Sequence, residues 1–282
     1  MSFKEKIKQN KKLYIFLKKY YKVLLNIQAY ITIKKDRLKN IKYRKRNKKI
    51  ISKYQEYKKN RKAKGIIYTC IIGNYDDLKS HKYIDFEWDY ICFTDNKNIL
   101  SDGIWEIKTL AFNELDNTRN NRWHKLNPHL LFSEYERSLY IDGNIRILSK
   151  DFFDLLLNEE SFISTIHPKR NCLYNEAEIC KEIKLDKEEI IDKQINIIKK
   201  SGFPREYGLY EANILYRKHN EEKIIKMDEE WWEFVSKQAK RDQLSLTYVC
   251  WKNNIPFRTF LDTSFRIKNK YIEITPHLIR RK

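Results

Sequence analysis

Cysteine pairs, a hydrophobic leader and long apolar runs are all missing from this 282-residue chain. Its five cysteines (Cys70, Cys92, Cys172, Cys180, Cys250) are odd in number and form no Cys-x-x-Cys, which argues against a disulfide framework and for a reducing, cytoplasmic setting. No run approaches the roughly 18–20 apolar residues that a spanning helix needs, because Lys18, Lys19 and Lys22 interrupt the best candidate; an integral membrane protein is therefore not expected. Also absent are Gly-x-Gly-x-x-Gly, a Walker loop, a nucleophile elbow, a paired-carboxylate signal and any internal repeat. These absences remove the dinucleotide-binding, P-loop, hydrolase and solenoid readings.

Acidic residues are scarce in one place only. Residues 1–64 hold 24 Lys/Arg against three acids (Glu5, Asp36, Glu56), whereas the rest of the chain holds 34 basic and 35 acidic residues. The overall charge of +20 thus belongs to one segment, and the expected organisation is a basic helical arm over 1–64 and a nearly neutral globular domain over 65–282. Within the arm, Leu13, Phe16, Leu17, Tyr20, Leu24, Ile27 and Ile31 recur at steps of three and four, with lysines on much of the other face. That is an amphipathic helix, suited to an anionic membrane surface and reinforced by Lys42-Tyr-Arg-Lys-Arg46. Packing on the main domain or a coiled-coil contact are its ordinary alternatives. Nucleic acid is a third, without any recognition motif to support it.

Beyond Gly65 the pattern changes to β-prone runs that close on polar turns. Ile66–Ile72, Asp89–Asp95, Ile104–Leu110, Ser138–Ile141, Phe162–Ile166 and Ala212–Tyr216 read as strands. Helical periodicity fills Asn117–Phe132, with Trp123, Leu126, Leu130 and Leu131 on one face, then Asp151–Leu157, much of Cys172–Lys200, the surroundings of Glu229–Phe234, and a last helix from Arg241-Asp-Gln243 through Trp251. Strands alternating with helices imply an α/β fold with a mostly parallel central sheet flanked by helices, and sites at strand ends.

Ser138-Leu-Tyr-Ile-Asp-Gly-Asn-Ile-Arg-Ile147 is the stretch that best joins a strand end to chemistry. An apolar strand delivers Asp142, a permissive Gly143 and Asn144 to the sheet edge, where two oxygen donors suit a hard cation holding a phosphate. A strand, an Asx-stabilised turn and a second strand with no chemistry would read the same way.

A series of motifs in order adds to this: Tyr68-Thr-Cys-Ile-Ile-Gly-Asn-Tyr-Asp-Asp-Leu78, Cys92-Phe-Thr-Asp95, Arg122-Trp-His-Lys125, Tyr140-Ile-Asp-Gly-Asn144, His167-Pro-Lys-Arg170, Glu211-Ala-Asn213, Arg217-Lys-His-Asn220, Trp231-Trp232 and Arg241-Asp-Gln-Leu-Ser245. Together, over roughly residues 65–255, they resemble the glycosyltransferase-like domain of plant mucilage and turgor-regulation proteins and of bacterial polysaccharide-cluster proteins. That family is similar to nucleotide-sugar transferases of the GT-A type, in which an Asp-x-Asp at a strand end binds Mn²⁺ or Mg²⁺.

The resemblance implies a GT-A-like domain that moves a sugar from a nucleotide donor, UDP-linked in the first instance, to a hydroxyl of a surface polysaccharide or lipid-linked glycan. The arm would keep it peripheral, at the inner face of the cell membrane. Tyr68, Thr69, Tyr75 and Asp95 would border base and ribose, Arg122 and Lys125 would reach the diphosphate, and Asp142 would ligate the bridging cation with Asn144 and His167. Asn144 stands where the second acid of Asp-x-Asp usually sits and supplies no charge. Asp242 and Glu211 are the acceptor-side candidates, although an acid at a helix start commonly serves only as a cap. Trp231-Trp232 would form an acceptor platform, or one core and one half-buried residue. A non-catalytic scaffold of a glycan cluster is the rival reading, and nucleic-acid binding through the arm a weaker one.

Overall fold

A computed structural model describes residues 11–156 and 160–278. Helix α1 (Lys11–Lys48) and helix α2 (Ile51–Lys59) precede β1 (Gly65–Ile71), β2 (Trp88–Thr94) and β3 (Glu106–Lys108). Next come α3 (Asn117–Leu126), the single turn α4 (Pro128–Leu131), β4 (Arg137–Ile141), β5 (Ile145–Ile147) and the short α5 (Asp151–Asp154). The remainder is β6 (Phe162–Ile166), α6 (Leu173–Glu182), α7 (Glu188–Lys200), β7 (Tyr210–Arg217), α8 (Glu222–Lys237), α9 (Gln243–Lys252) and β8 (Ile272–Ile274).

Six strands make one sheet in the order β3-β2-β1-β4-β7-β6. Strands β3, β2, β1 and β4 pair in parallel, and β7 runs antiparallel to both β4 and β6. The mostly parallel sheet flanked by helices is the α/β fold that the alternation of elements implies. Parallel strands bury both faces, and β1 shows how: Ile66, Tyr68, Cys70 and Ile72 enter one apolar cluster, while Ile67 and Ile71 enter the other. The first cluster is covered by α3 and α6 to α9; the second is closed by Tyr54 of α2, by α5 and by the small antiparallel pair β5–β8.

Several sequence expectations shift. The helix expected over Asn117–Phe132 breaks at Asn127, because Pro128 has no N–H to give and crowds the preceding residue. Leu130 consequently leaves the apolar face and is 63% exposed. Helix α5 is shorter than the Asp151–Leu157 expected, ending at Asp154, and Leu157 lies outside the described residues. Strand β8 had no recognisable signal in the sequence.

The basic segment packs on the sheet domain through an inward stripe of α1 that is largely polar. Ala29, Ile33, Asp36, Asn40, Tyr43 and Asn47 follow the three-and-four step of one helix face and are buried or half-buried. Asp36 pairs with Lys79 at 2.7 Å and with Arg146 at 2.8 Å. The Asn40 amide donates to the Leu78 carbonyl at 2.9 Å, and its oxygen accepts from Ser80 N at 2.7 Å. The family of apolar positions named in the sequence behaves differently: Tyr20, Leu24, Ile27 and Ile31 are all exposed, and the side chains of Leu13, Phe16 and Leu17 lie outside the described residues.

Candidate active site

The carboxyl ends of the parallel strands gather most of the charged residues that the motifs single out. Strand β4 hands on directly to Asp142, whose N–H donates to the Asn213 carbonyl of the neighbouring β7 at 2.9 Å. Ile145 N donates back to the Asp142 carbonyl at 3.0 Å and closes the turn into β5. Gly143 is required there for space and not for an unusual dihedral: a Cβ would sit 2.8 Å from Ile71 Cγ1 and 3.6 Å from Asp76 Cβ. Glycine lets the β4 turn lie against the end of β1.

Helix α3 presents Arg122 and Lys125 to this edge, and the start of α9 presents Asp242. Lys125 Nζ lies 2.5 Å from Asp242 Oδ2, and Arg122 Nε lies 3.0 Å from the same oxygen. Lys125 Nζ also stands 4.0 Å from Asp142 Oδ1 and 5.0 Å above the Tyr140 ring, whose hydroxyl donates to Asp142 Oδ1 at 3.1 Å. Tyr140 therefore links the lysine to the strand-end acid. Burial alone would raise the Asp242 carboxyl, but Arg122, Lys125 and Arg241 outweigh it and hold the group well below the usual carboxylate range. Asp242 stands at the position before α9 yet makes no side-chain cap, so its carboxylate serves the cations and not the helix.

A second layer holds Lys125 in place. Its carbonyl accepts from the Tyr68 hydroxyl at 2.9 Å and from Arg217 Nη2 at 2.7 Å. Arg217 Nη2 also donates to the Tyr68 oxygen at 2.6 Å, and Nη1 to the buried Asp228 at 2.8 Å. Trp231 Nε1 donates to the Asp242 carbonyl at 2.8 Å. Three interior residues, Tyr68, Arg217 and Trp231, thus fix the backbones that carry the cation and its counter-charge.

Some expected roles do not survive this geometry. Tyr68 is wholly buried, its ring packed on Phe132 and Tyr140, so it cannot stack on a base and instead positions Lys125. Thr69 is likewise buried, with an unpartnered hydroxyl. Tyr75 and Asp95 do reach the edge: Tyr75 is half-buried, its ring 4.7 Å from that of His277, and exposed Asp95 accepts from Gly73 N at 3.0 Å.

His167 belongs to a turn. Its Nδ1 accepts from Arg170 N at 3.0 Å and Lys169 N at 3.3 Å, while Nε2 faces Glu176 at 3.7 Å, leaving neither nitrogen directed at Asp142. Asn144 is buried, with its amide nitrogen donating to the Thr275 carbonyl at 2.6 Å; its own carbonyl accepts from Thr275 N at 3.0 Å. Among the described residues no three His, Cys, Asp or Glu side chains gather to hold a metal ion. Trp231 is core and Trp232 half-buried against Phe112, so the tryptophans form no paired platform.

Glu211 opens β7 beside Asp142. One oxygen is ion-paired to Arg266, and Oε2 is buried without a partner. Burial pushes this carboxyl up, Arg266 opposes the rise, and Asp142 adds to it. Ala212, next in the strand, has φ +61°, an uncommon left-handed angle for a residue with a Cβ, where the β6–β7 register breaks between Ser164 and Ile166. The bulge sets the aim of Glu211 and Asn213.

Two residues of the cluster were not singled out from sequence. Arg241 lies beside Asp242 and acts on it electrostatically, and its Nε is buried without an acceptor. Asn213 is buried with Nδ2 unpartnered, its oxygen accepting from Thr165 Oγ1. Both stand inside quoted motifs, so the signal was adjacency to Asp242 and Glu211. The model of the family described as TOD1/MUCI70, glycosyltransferase-like domain, matches residues 26–271. No curated protein matches the chain.

Proposed function

Because the chain belongs to the TOD1/MUCI70 glycosyltransferase-like family, we propose that it transfers a sugar from a nucleotide donor, UDP-linked in the first instance, to a hydroxyl of a polysaccharide or lipid-linked glycan. The observation that carries this reading is the convergence of Arg122, Lys125 and Asp242 with Asp142 at the carboxyl edge of the parallel strands, where open α/β sheets bind ligands. Tyr75 and Asp95 offer a ring and a carboxylate for the nucleoside.

In the reaction the bond from the anomeric carbon to the diphosphate oxygen breaks, the nucleoside diphosphate leaves, and the acceptor oxygen bonds to the sugar. The acceptor proton passes to a carboxylate. Glu211 suits that role, since its carboxyl is raised and one oxygen has no partner. Asp242, ionised between cations, suits a fixed counter-charge that keeps Arg122 and Lys125 aimed.

The exposed apolar residues of α1, with Lys19, Lys34 and Lys35 around them, support docking on an anionic membrane surface. Among the described residues no helix is long and apolar enough to cross a membrane. The test of activity is a panel of nucleotide sugars assayed for transfer and slow donor hydrolysis, with binding read by calorimetry. Binding of one nucleoside diphosphate sugar, lost in Arg122→Gln, supports the reading; failure of every donor to bind refutes it.

A further inference from the structure

A departing diphosphate needs its negative charge met by something in the site. Resting on the nucleotide-sugar reading, we infer that in this chain the diphosphate is met by a side-chain clamp of Arg122, Lys125 and Arg241, and not by a divalent cation held on Asp142 and Asn144.

The donor set at the strand end is poor for a metal. Asp142 offers one carboxylate, of which Oδ1 already accepts from Tyr140 and faces the Lys125 ammonium at 4.0 Å. A divalent ion placed there would be repelled by that lysine. Asn144 brings no charge; its amide nitrogen is tied to the Thr275 carbonyl, leaving only a neutral oxygen to offer. His167 has its Nδ1 taken by backbone N–H groups and its Nε2 turned to Glu176. The other candidate pair at this edge, Asp76 and His277, is closed on itself at 2.7 Å. Charge-rich oxygen cages of the kind that hold Mg²⁺ or Mn²⁺ have no counterpart among the described residues.

The cations have the opposite character. Arg122, Lys125 and Arg241 face the acids Asp242, Asp142 and Glu211, and Glu211 is itself paired to a fourth cation, Arg266, so four cations meet three acids and one positive charge is left over. Its donors are incompletely used as well: Arg241 Nε and Asn213 Nδ2 are buried with no acceptor, and Arg122 Nε sits in ion-pair range of Asp242 without hydrogen-bond alignment. Buried N–H groups in native proteins are nearly always partnered. An acceptor-only, doubly negative group fits what is missing, and a guanidinium fork binds such oxygens in pairs. Asp242 then has a function with no metal in it: it is the internal anion that keeps three cations together until the diphosphate arrives.

The test is calorimetry on the full chain with UDP, GDP, ADP and CDP and their nucleosides as probes, once in EDTA and once with Mn²⁺. The clamp predicts that one nucleoside diphosphate binds in EDTA with an affinity within about threefold of that in Mn²⁺. It also predicts that Arg241→Gln weakens that binding about tenfold or more, the loss expected for a charged hydrogen bond, while leaving the nucleoside unaffected. Arg241 Nη2 donates to Gln243 at 2.9 Å and the guanidinium also lies against Cys180, contacts that a glutamine can in part replace, and a thermal melt checks that the variant folds. Binding that collapses in EDTA, returns with Mn²⁺ and disappears in Asp142→Ala overturns the clamp and leaves the transferase reading standing. No binding of any diphosphate in either condition overturns that reading, and the clamp with it.

Discussion

Replacing Asp242 by Asn should be the most informative single change in this protein. The carboxylate is 2% exposed, lies 2.5 Å from Lys125 and 3.0 Å from Arg122, and is further stabilised by Arg241. Asn keeps the shape and removes the charge, leaving buried cations without their anion. Removing one partner of a buried charge pair costs about 3–5 kcal/mol. For a chain of this size that is a fall of roughly 5–9 °C in Tm.

The acid limb of stability supplies an independent signature. Asp242 has a folded-state pKa below its ordinary 3.8, so its contribution is fully present above that value and is lost as pH falls toward the folded-state value. In Asp242→Asn this part of the acid-induced loss should vanish, making the variant's stability flatter than wild type below about pH 4. Differential scanning calorimetry or urea titration across pH 2.5 to 7, ranges set by the ordinary carboxylate value, reads both effects. A variant that melts with wild type at neutral pH, or keeps the same acid limb, would refute the claim that Asp242 is the counter-ion of this cluster.

Three further outcomes test other parts of the structure. Tyr68→Phe should cost about 1–2 kcal/mol through loss of the hydroxyl shared by Lys125 and Arg217, and lower turnover without altering nucleoside affinity; weaker nucleoside binding on titration would return Tyr68 to the base pocket. Gly143→Ala should destabilise by about 1–3 kcal/mol because of the 2.8 Å approach to Ile71, and a double-mutant cycle with Ile71→Ala should recover part of it; strict additivity would rule out that clash. Replacing the exposed Tyr20, Leu24, Ile27 and Ile31 together by Ser should leave the melt unchanged and abolish sedimentation with phosphatidylserine vesicles, whereas starting the chain at Arg61 should lower the melt by removing the Asp36–Lys79, Asp36–Arg146 and Tyr54 contacts; a truncation at Arg61 that melts like wild type would show the segment to be an independent arm.

Fold class was legible in the chain because two-sided burial leaves a direct trace. Ile66–Ile72 and Asp89–Asp95 are continuous β-prone runs, and they became the central parallel strands β1 and β2. Asp142 was legible as an acid at a strand end, whereas Arg122, Lys125 and Asp242 became candidates through the order of motifs that resembles the family. The docking of α1 was not, because its inward stripe of Asp36, Asn40 and Asn47 is polar and mimics a solvated face. Its visible apolar stripe points outward. Tyr68 misled for the complementary reason: an aromatic inside the first strand's motif looks like a ring for a base until a buried arginine 149 residues away takes its hydroxyl.

By itself, then, the sequence determined the alternation of strands and helices, the confinement of the net positive charge to residues 1–64, and the placing of Asp142 at the end of an apolar strand. Those are properties of neighbouring residues, governed by periodicity and composition. Only the tertiary structure decided that Asp242 faces Lys125 and Arg122 instead of capping α9, that His167 serves a turn, and that Asn144 holds the C-terminal strand segment through Thr275. Each is a pairing across 3 to 131 residues of chain, and whether a polar group binds its own backbone or a distant partner is set by which strands lie side by side.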